Sequence, residues 1–146
     1  MHRDILIIPI VWCAMLATSF WESYVEGRNA YDKGKVGFKI RIGRFVFTGY
    51  HFFLFWITFP LLLSLPLVVC GFSWRLFGII LSAYISGTII EDFFWFIVNP
   101  VVKFSEWNPD FADYYPWIKI RKFAFPLSYL VGIIFSVLVL FFSLRA

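Results

Sequence analysis

Five residues in this chain carry chemistry for which an apolar sequence has no ordinary use: Glu22, Glu26, His51, Glu91 and Asp92. Carboxylates and an imidazole can hold a divalent cation in oxygen-rich coordination, or can pass protons between neighbouring acids. Glu22 and Glu26 are four apart, so on a helix they share one face. Glu91 and Asp92 are adjacent and point about 100° apart on a helix, so only one can face a ligand squarely. Glu91 is the better candidate, because Trp95 and Asn99 follow it at four and eight and extend its stripe, as do Tyr84 and Gly87 before it. Asp92 is left to pair with Arg44 or a loop lysine. The candidate metal ligands are therefore Glu22, His51 and Glu91, with Glu91 and His51 as the catalytic pair. Glu26, Asp92, Trp95 and Asn99 support them.

What must position these groups is almost entirely apolar. Of 146 residues, 61% are hydrophobic, 23% aromatic and 15% charged, and the mean hydropathy is +0.80. A soluble domain needs far more polar surface, so the composition predicts an integral membrane protein. The net charge of +4 does not point to nucleic acid, because the cations are gathered between long apolar runs, where phospholipid headgroups are the neighbours. A span needs about 20 residues. The runs predict an all-α, four-transmembrane-helix bundle with short basic and aromatic loops, one domain over 1–146, and spans near 4–26, 46–69, 74–98 and 124–144. Gly27 and Gly71 close the first two spans, Pro60 and Pro66 kink the second, and Asn99-Pro100 ends the third. Residues 5–17 have the character of a signal-peptide core, but the apolar run continues through Phe20 and Trp21, which predicts a true helix. Cys13 and Cys70 lack metal-type spacing and read as free thiols.

Four spans place both termini on one side. The other side receives the 27–45 and 99–123 loops, which hold Arg28, Lys33, Lys35, Lys39, Arg41, Arg44, Lys103, Lys119, Arg121 and Lys122, against Arg3, Arg75 and Arg145 opposite. The positive-inside rule puts the loops in the cytoplasm and the termini outside, most naturally in a prokaryotic cytoplasmic membrane. All five chemical residues then fall in the cytoplasmic half of the bundle. An ionisable group in a span is costly, so this convergence is a functional hypothesis: a divalent metal bound on the cytoplasmic side and acting on a lipid-like substrate. A lock between helices, in a non-catalytic subunit or assembly factor, explains the same acids without a ligand. A cation or proton conductor would need an oligomer.

Both long loops approach the next span with alternating basic and apolar residues, Phe-Lys-Ile-Arg-Ile-Gly-Arg at 38–44 and Trp-Ile-Lys-Ile-Arg-Lys at 117–122. Interfacial anchoring is the preferred reading over a small sheet: Lys39, Arg41, Arg44, Lys119, Arg121 and Lys122 meet headgroups while the apolar residues dip inward. Trp107, Tyr114, Tyr115 and Trp117 form the aromatic belt. The shared Lys-Ile-Arg is too short to establish a repeat. The pairs Ala83/Gly87, Ser82/Ser86 and Gly132/Ser136 favour close helix packing, within the chain or with a homo-oligomer or protein partner.

Trp21-Glu22, Tyr50-His51 and the run Glu-Asp-Phe-Phe-Trp-Phe-Ile-Val-Asn-Pro at 91–100 resemble a group of small, uncharacterised prokaryotic membrane proteins with four helices. The resemblance covers most of the chain and implies fold and location, with no activity. Phe47 to His51 also resembles the Phe-x-x-x-His element of intramembrane prenyl-protein proteases. The paired glutamates and the further histidine helix of those enzymes are missing, so that reading is not adopted.

Overall fold

The computed structural model describes residues 3–31, 34–43, 45–121 and 123–146; His2, Lys33, Arg44 and Lys122 lie outside the described residues. The chain forms two compact units, Met1–Gly27 with Ser73–Ala146, and Arg28–Phe72.

The first unit is built on two helices whose ends match the sequence expectation. Helix α1 spans Asp4–Glu26, opening with a 3₁₀ turn at Asp4–Leu6, and helix α3 spans Trp74–Val98. Ser73 caps α3 by accepting from the Leu76 N–H at 3.1 Å. At the far end Asn99, extended before Pro100, turns its Oδ1 to the N–H groups of Val101 and Val102, both at 2.9 Å.

Three contacts show that α1 and α3 run parallel. Arg75 Nε lies 3.7 Å from Asp4 Oδ2 at their starts, Trp12 Nε1 donates to Ser86 Oγ at 2.8 Å midway, and Asn99 Nδ2 donates to the Gly27 carbonyl at 2.8 Å at their ends. The seam between them buries Val11, Met15, Ser19, Glu22, Ser23 and Glu26 of α1 against a stripe of α3 residues spaced four apart: Ile79, Ala83, Gly87, Glu91 and Trp95. Small residues make the approach possible. A Cβ on Gly87 would lie 2.9 Å from Met15 Cγ.

Helix α4, Leu127–Ser143, covers another face of α3. Ser82 Oγ donates to the Ser136 carbonyl at 2.8 Å, and a Cβ on Gly78 would lie 1.6 Å from Ser143 Oγ. The small-residue pairs therefore serve packing within the chain.

In the second unit, β1 (Lys39–Ile42) pairs antiparallel with β2 (Phe45–Thr48), and helix α2 (Gly49–Cys70) follows directly. The kink expected at Pro60 is resolved as a π-helical stretch, Phe52–Thr58, just before it. Proline lacks an N–H and its ring crowds the carbonyl four residues back, so the wider turn removes the clash at that point. Pro66 is accommodated inside the following α-helical part.

The all-α expectation is corrected. A second hairpin pairs β3 (Trp117–Ile120) with β4 (Phe123–Pro126) in the first unit. Both basic-apolar segments are strands, in two separate hairpins, and each pairs with residues that the sequence reading had assigned to the start of a span. The expected starts at 46 and 124 move to Gly49 and Leu127, because Phe45–Thr48 and Phe123–Pro126 complete ladders. Their β-branched and aromatic residues suit a strand as well as a span. Cys13 and Cys70 are free thiols.

Among the described residues three helices, α1, α2 and α3, are long and apolar enough to cross a membrane; α4, at 17 residues, is shorter. None of the apolar window of α2 is buried, an exposure a soluble monomer does not sustain. These features fit a membrane protein.

The Gly78–Ser143 approach yields a direct test. Gly78→Val should lower the thermal unfolding midpoint in detergent, by overpacking worth about 1–3 kcal/mol. Adding Ser143→Gly should recover part of that loss, whereas Gly71→Val, whose cost is backbone strain at φ 85° with open space around its Cβ position, should not be recovered by Ser143→Gly.

Candidate functional site

The parallel seam brings Glu22, Glu26 and Glu91 to one level. They are only 4%, 7% and 4% exposed, which for three carboxyl groups is exceptional and demands an explanation. Glu22 and Glu91 share a hydrogen bond across the seam, and Glu26 and Asp92 are close enough to act electrostatically on Glu91. An ionised carboxylate only accepts, so a hydrogen bond between two carboxyl groups requires a proton on one of them. Ser19 and Ser23, both fully buried beside the acids, turn their hydroxyls back to the carbonyls of Leu16 and Phe20 at 2.7 and 2.8 Å.

Two polar atoms on the same α3 stripe are buried with no hydrogen-bond partner among the described residues: Glu91 Oε1 and, one turn on, Trp95 Nε1. Buried polar groups are nearly always paired, so an orphan acceptor and an orphan donor along one stripe mark a place where a ligand or solvent completes the bonding. The acids and the orphan Glu91 oxygen suit a hard cation such as magnesium or manganese, which takes oxygen ligands and keeps several waters.

The adjacent acids divide their labour, as their 100° offset predicts. Asp92 leaves the seam and accepts hydrogen bonds on Oδ2 from the phenols of Tyr115 and Tyr129. Arg44, the first expected partner of Asp92, lies outside the described residues; the hydrogen bonds seen on Asp92 come from neutral donors. A phenol satisfies a buried carboxylate without bringing a second charge out of water. Asp92 thereby ties α3 to α4 and to the loop before β3. Burial, and then the neighbouring Asp92 carboxylate, push the Tyr115 phenol well above its ordinary value of 10.0. Tyr115 thus remains a donor at every physiological pH.

Asn99 acts through the backbone bonds given above, and Trp95 through packing against Phe96, with ring centroids 4.9 Å apart. His51 belongs to the other unit. There its Nδ1 lies 2.7 Å from Thr48 Oγ1, the hydroxyl that also caps α2, and its ring stands against Tyr31, Tyr50 and Phe55. Lys39, Arg41, Lys119 and Arg121 lie exposed on the hairpins, while Arg44 and Lys122 fall outside the described residues. Tyr115 and Tyr129 were missed as site residues, Tyr115 having been read as part of the aromatic belt. The available signal was that an Asp within an apolar helix needs donors, which phenols at the membrane boundary can supply.

No protein-family model matches the chain, and no curated protein or solved structure does either.

Removing a donor from Asp92 should be costly. Tyr129→Phe and Tyr115→Phe should each lower stability by about 1.5–3 kcal/mol, the range for hydrogen bonds to a charged group, and the double variant should depart from additivity. The raised Tyr115 phenol also fixes a pH dependence. Below pH 10 neither state ionises; above it the unfolded chain releases a proton that the folded chain keeps, so stability falls as pH rises. Alkaline unfolding followed by circular dichroism should be shallower in Tyr115→Phe than in the native protein.

Proposed function

We propose that this is a polytopic membrane protein in which the seam between α1 and α3 forms a carboxylate centre, Glu22, Glu26 and Glu91, that binds a hard divalent cation. The observation that carries the reading is the Glu91 Oε1 atom: fully buried at the level of two other glutamates, with no hydrogen-bond partner among the described residues. A purely structural acid would be expected to have both oxygens satisfied. The proposed topology is a four-span one, with the ten loop cations in the cytoplasm and the acids near that surface. When bound, the cation supplies Lewis-acid polarisation of a carbonyl or phosphoryl oxygen, and a lipid-like molecule is the substrate class that a centre at this depth admits. Glu22, Glu26 and Glu91 provide the negative charge, Asp92 and Asn99 hold α3 in place, and Ser19 and Ser23 leave room beside α1. The expectation that His51 joins these ligands rests on the order of spans in the sequence.

The rival reading, a helix lock without a ligand, is favoured by the Glu22–Glu91 hydrogen bond, since that bond joins α1 to α3 with no ligand between them. Elemental analysis of the detergent-purified protein separates the two. The centre predicts a divalent metal in stoichiometric amount, retained in Val69→Ala on the exposed surface of α2 and lost in Glu91→Gln of equal monodispersity. It also predicts weaker binding as pH falls, because the cation displaces the shared proton. Absence of metal from the native protein, together with no rise in its thermal midpoint when magnesium or manganese is added, would leave only the lock.

A further inference from the structure

The two hairpins are copies of one device. Aligned by their turns, β1–β2 reads Ile-Arg-Ile-Gly-Arg-Phe-Val-Phe from 40 to 47, and β3–β4 reads Ile-Lys-Ile-Arg-Lys-Phe-Ala-Phe from 118 to 125. The match is displaced by two residues from the shared Lys-Ile-Arg, and only the strand pairing reveals it. The ladders agree: Ile40 pairs with Phe47 as Ile118 pairs with Phe125, and Ile42 with Phe45 as Ile120 with Phe123. Each turn begins with a left-handed residue, Gly43 at φ 63° and Arg121 at φ 54°. Such a conformation at the first turn position is what a two-residue hairpin requires. Each copy is preceded by a membrane-length helix and a loop, α1 and α3, and runs directly into the next apolar helix at Gly49 and at Leu127.

The faces of these hairpins are inverted relative to those of a soluble protein. Residues opposite each other in an antiparallel pair lie on the same face. One face of the second hairpin is therefore wholly apolar, Ile118, Ile120, Phe123 and Phe125, and it points outward: Ile120 is 67% and Phe123 81% exposed. The other face carries Lys119 and turns Pro126 into the protein. In the first hairpin Ile40 and Ile42 are exposed, whereas Val46 and Thr48, on the face of Lys39 and Arg41, are buried. An apolar face directed away from the fold, fringed with Lys and Arg and joined without a linker to a membrane-length or near-membrane-length apolar helix, has one natural neighbour.

We propose that each hairpin is an interfacial insertion device. Its Ile/Phe face enters the headgroup–acyl boundary of an anionic lipid leaflet, while Lys39, Arg41, Lys119 and Arg121 meet lipid phosphates. The acidic lipid is chosen by charge complementarity, and the covalent junction with the following helix holds each hairpin at the membrane surface. The proposal rests on the membrane reading and does not depend on the carboxylate centre.

Environment-sensitive fluorescence in nanodiscs tests it. In a Cys13→Ser/Cys70→Ser background, Ile42→Cys, Lys119→Cys, Ile120→Cys and Phe123→Cys are each labelled with a nitrobenzoxadiazole probe. Iodide and headgroup-proximal spin-labelled lipids then serve as quenchers, in phosphatidylcholine with or without phosphatidylglycerol. Positions 42, 120 and 123 should be several-fold less quenched by iodide than position 119 and strongly quenched by the spin-labelled lipid. Phosphatidylglycerol should increase that lipid quenching, and Lys119→Gln/Arg121→Gln should abolish the increase at position 120. Iodide quenching at 120 and 123 as strong as at 119 would overturn insertion. Shielding from both quenchers would overturn it equally, showing the face covered by protein, such as a second copy. Because the two hairpins carry independent probes, a variant that fails to fold in one leaves the other as the test.

Discussion

The burial of three carboxyl groups, Glu22 and Glu26 of α1 and Glu91 of α3, in one seam is the constraint on which the rest of the first unit depends. Taking an unpaired carboxylate out of water costs several kcal/mol even after relaxation. A seam that buries three glutamates must therefore hold its helices in a narrow geometry. The chain does so at both ends and in the middle, through Asp4–Arg75, Trp12–Ser86 and Asn99–Gly27. The exposed Asp4–Arg75 pair stabilises little by itself; its value is in setting register. Small residues along the α3 stripe then let α1 approach, and Asp92, turned out of the seam, fastens α3 to α4 through two phenols.

The same arrangement separates the parts of the acidic cluster. Asp92 has donors of its own and behaves as a tie. Glu91 shares one bond and keeps an orphan oxygen, which is the condition of a group prepared for something else. This contrast, more than the number of acids, supports a ligand-binding reading: Asp92 takes two phenol donors on Oδ2, whereas Glu91 Oε1 is buried with no hydrogen-bond partner among the described residues. In the proposed membrane setting the low dielectric around the seam would strengthen any cation's hold on the glutamates and exclude the water that competes for it.

Much of this was legible from residue spacing. The ends of α1 and α3 followed from Gly27 and Asn99-Pro100, and the i,i+4 relation of Glu22 to Glu26 and of Glu91 to Trp95 put each set on one face. The orthogonal roles of Glu91 and Asp92 followed from a single helical angle. The hairpins were not legible in the same way, because Phe45–Thr48 and Phe123–Pro126 are as apolar as the helices they precede. Hydropathy cannot distinguish a strand that lies beside a span from the first turn of the span itself. The phenols on Asp92 were hidden for a different reason: Tyr115 lies 23 residues and Tyr129 37 residues beyond it, and only the fold brings them together. The π-helical stretch before Pro60 shows the reverse case, in which a local rule foresaw a distortion and the structure determined its form.

The central claim is that the α1–α3 seam holds a divalent cation on its glutamates, and manganese electron paramagnetic resonance addresses it most directly. Titrating Mn²⁺ into the metal-stripped protein should suppress the sharp six-line signal of the free aqueous ion until the site is filled, with the suppression reversed by excess Mg²⁺ and absent in Glu91→Gln. An undiminished aqueous signal from the first addition onward, in a native protein that is folded and monodisperse, would contradict the account.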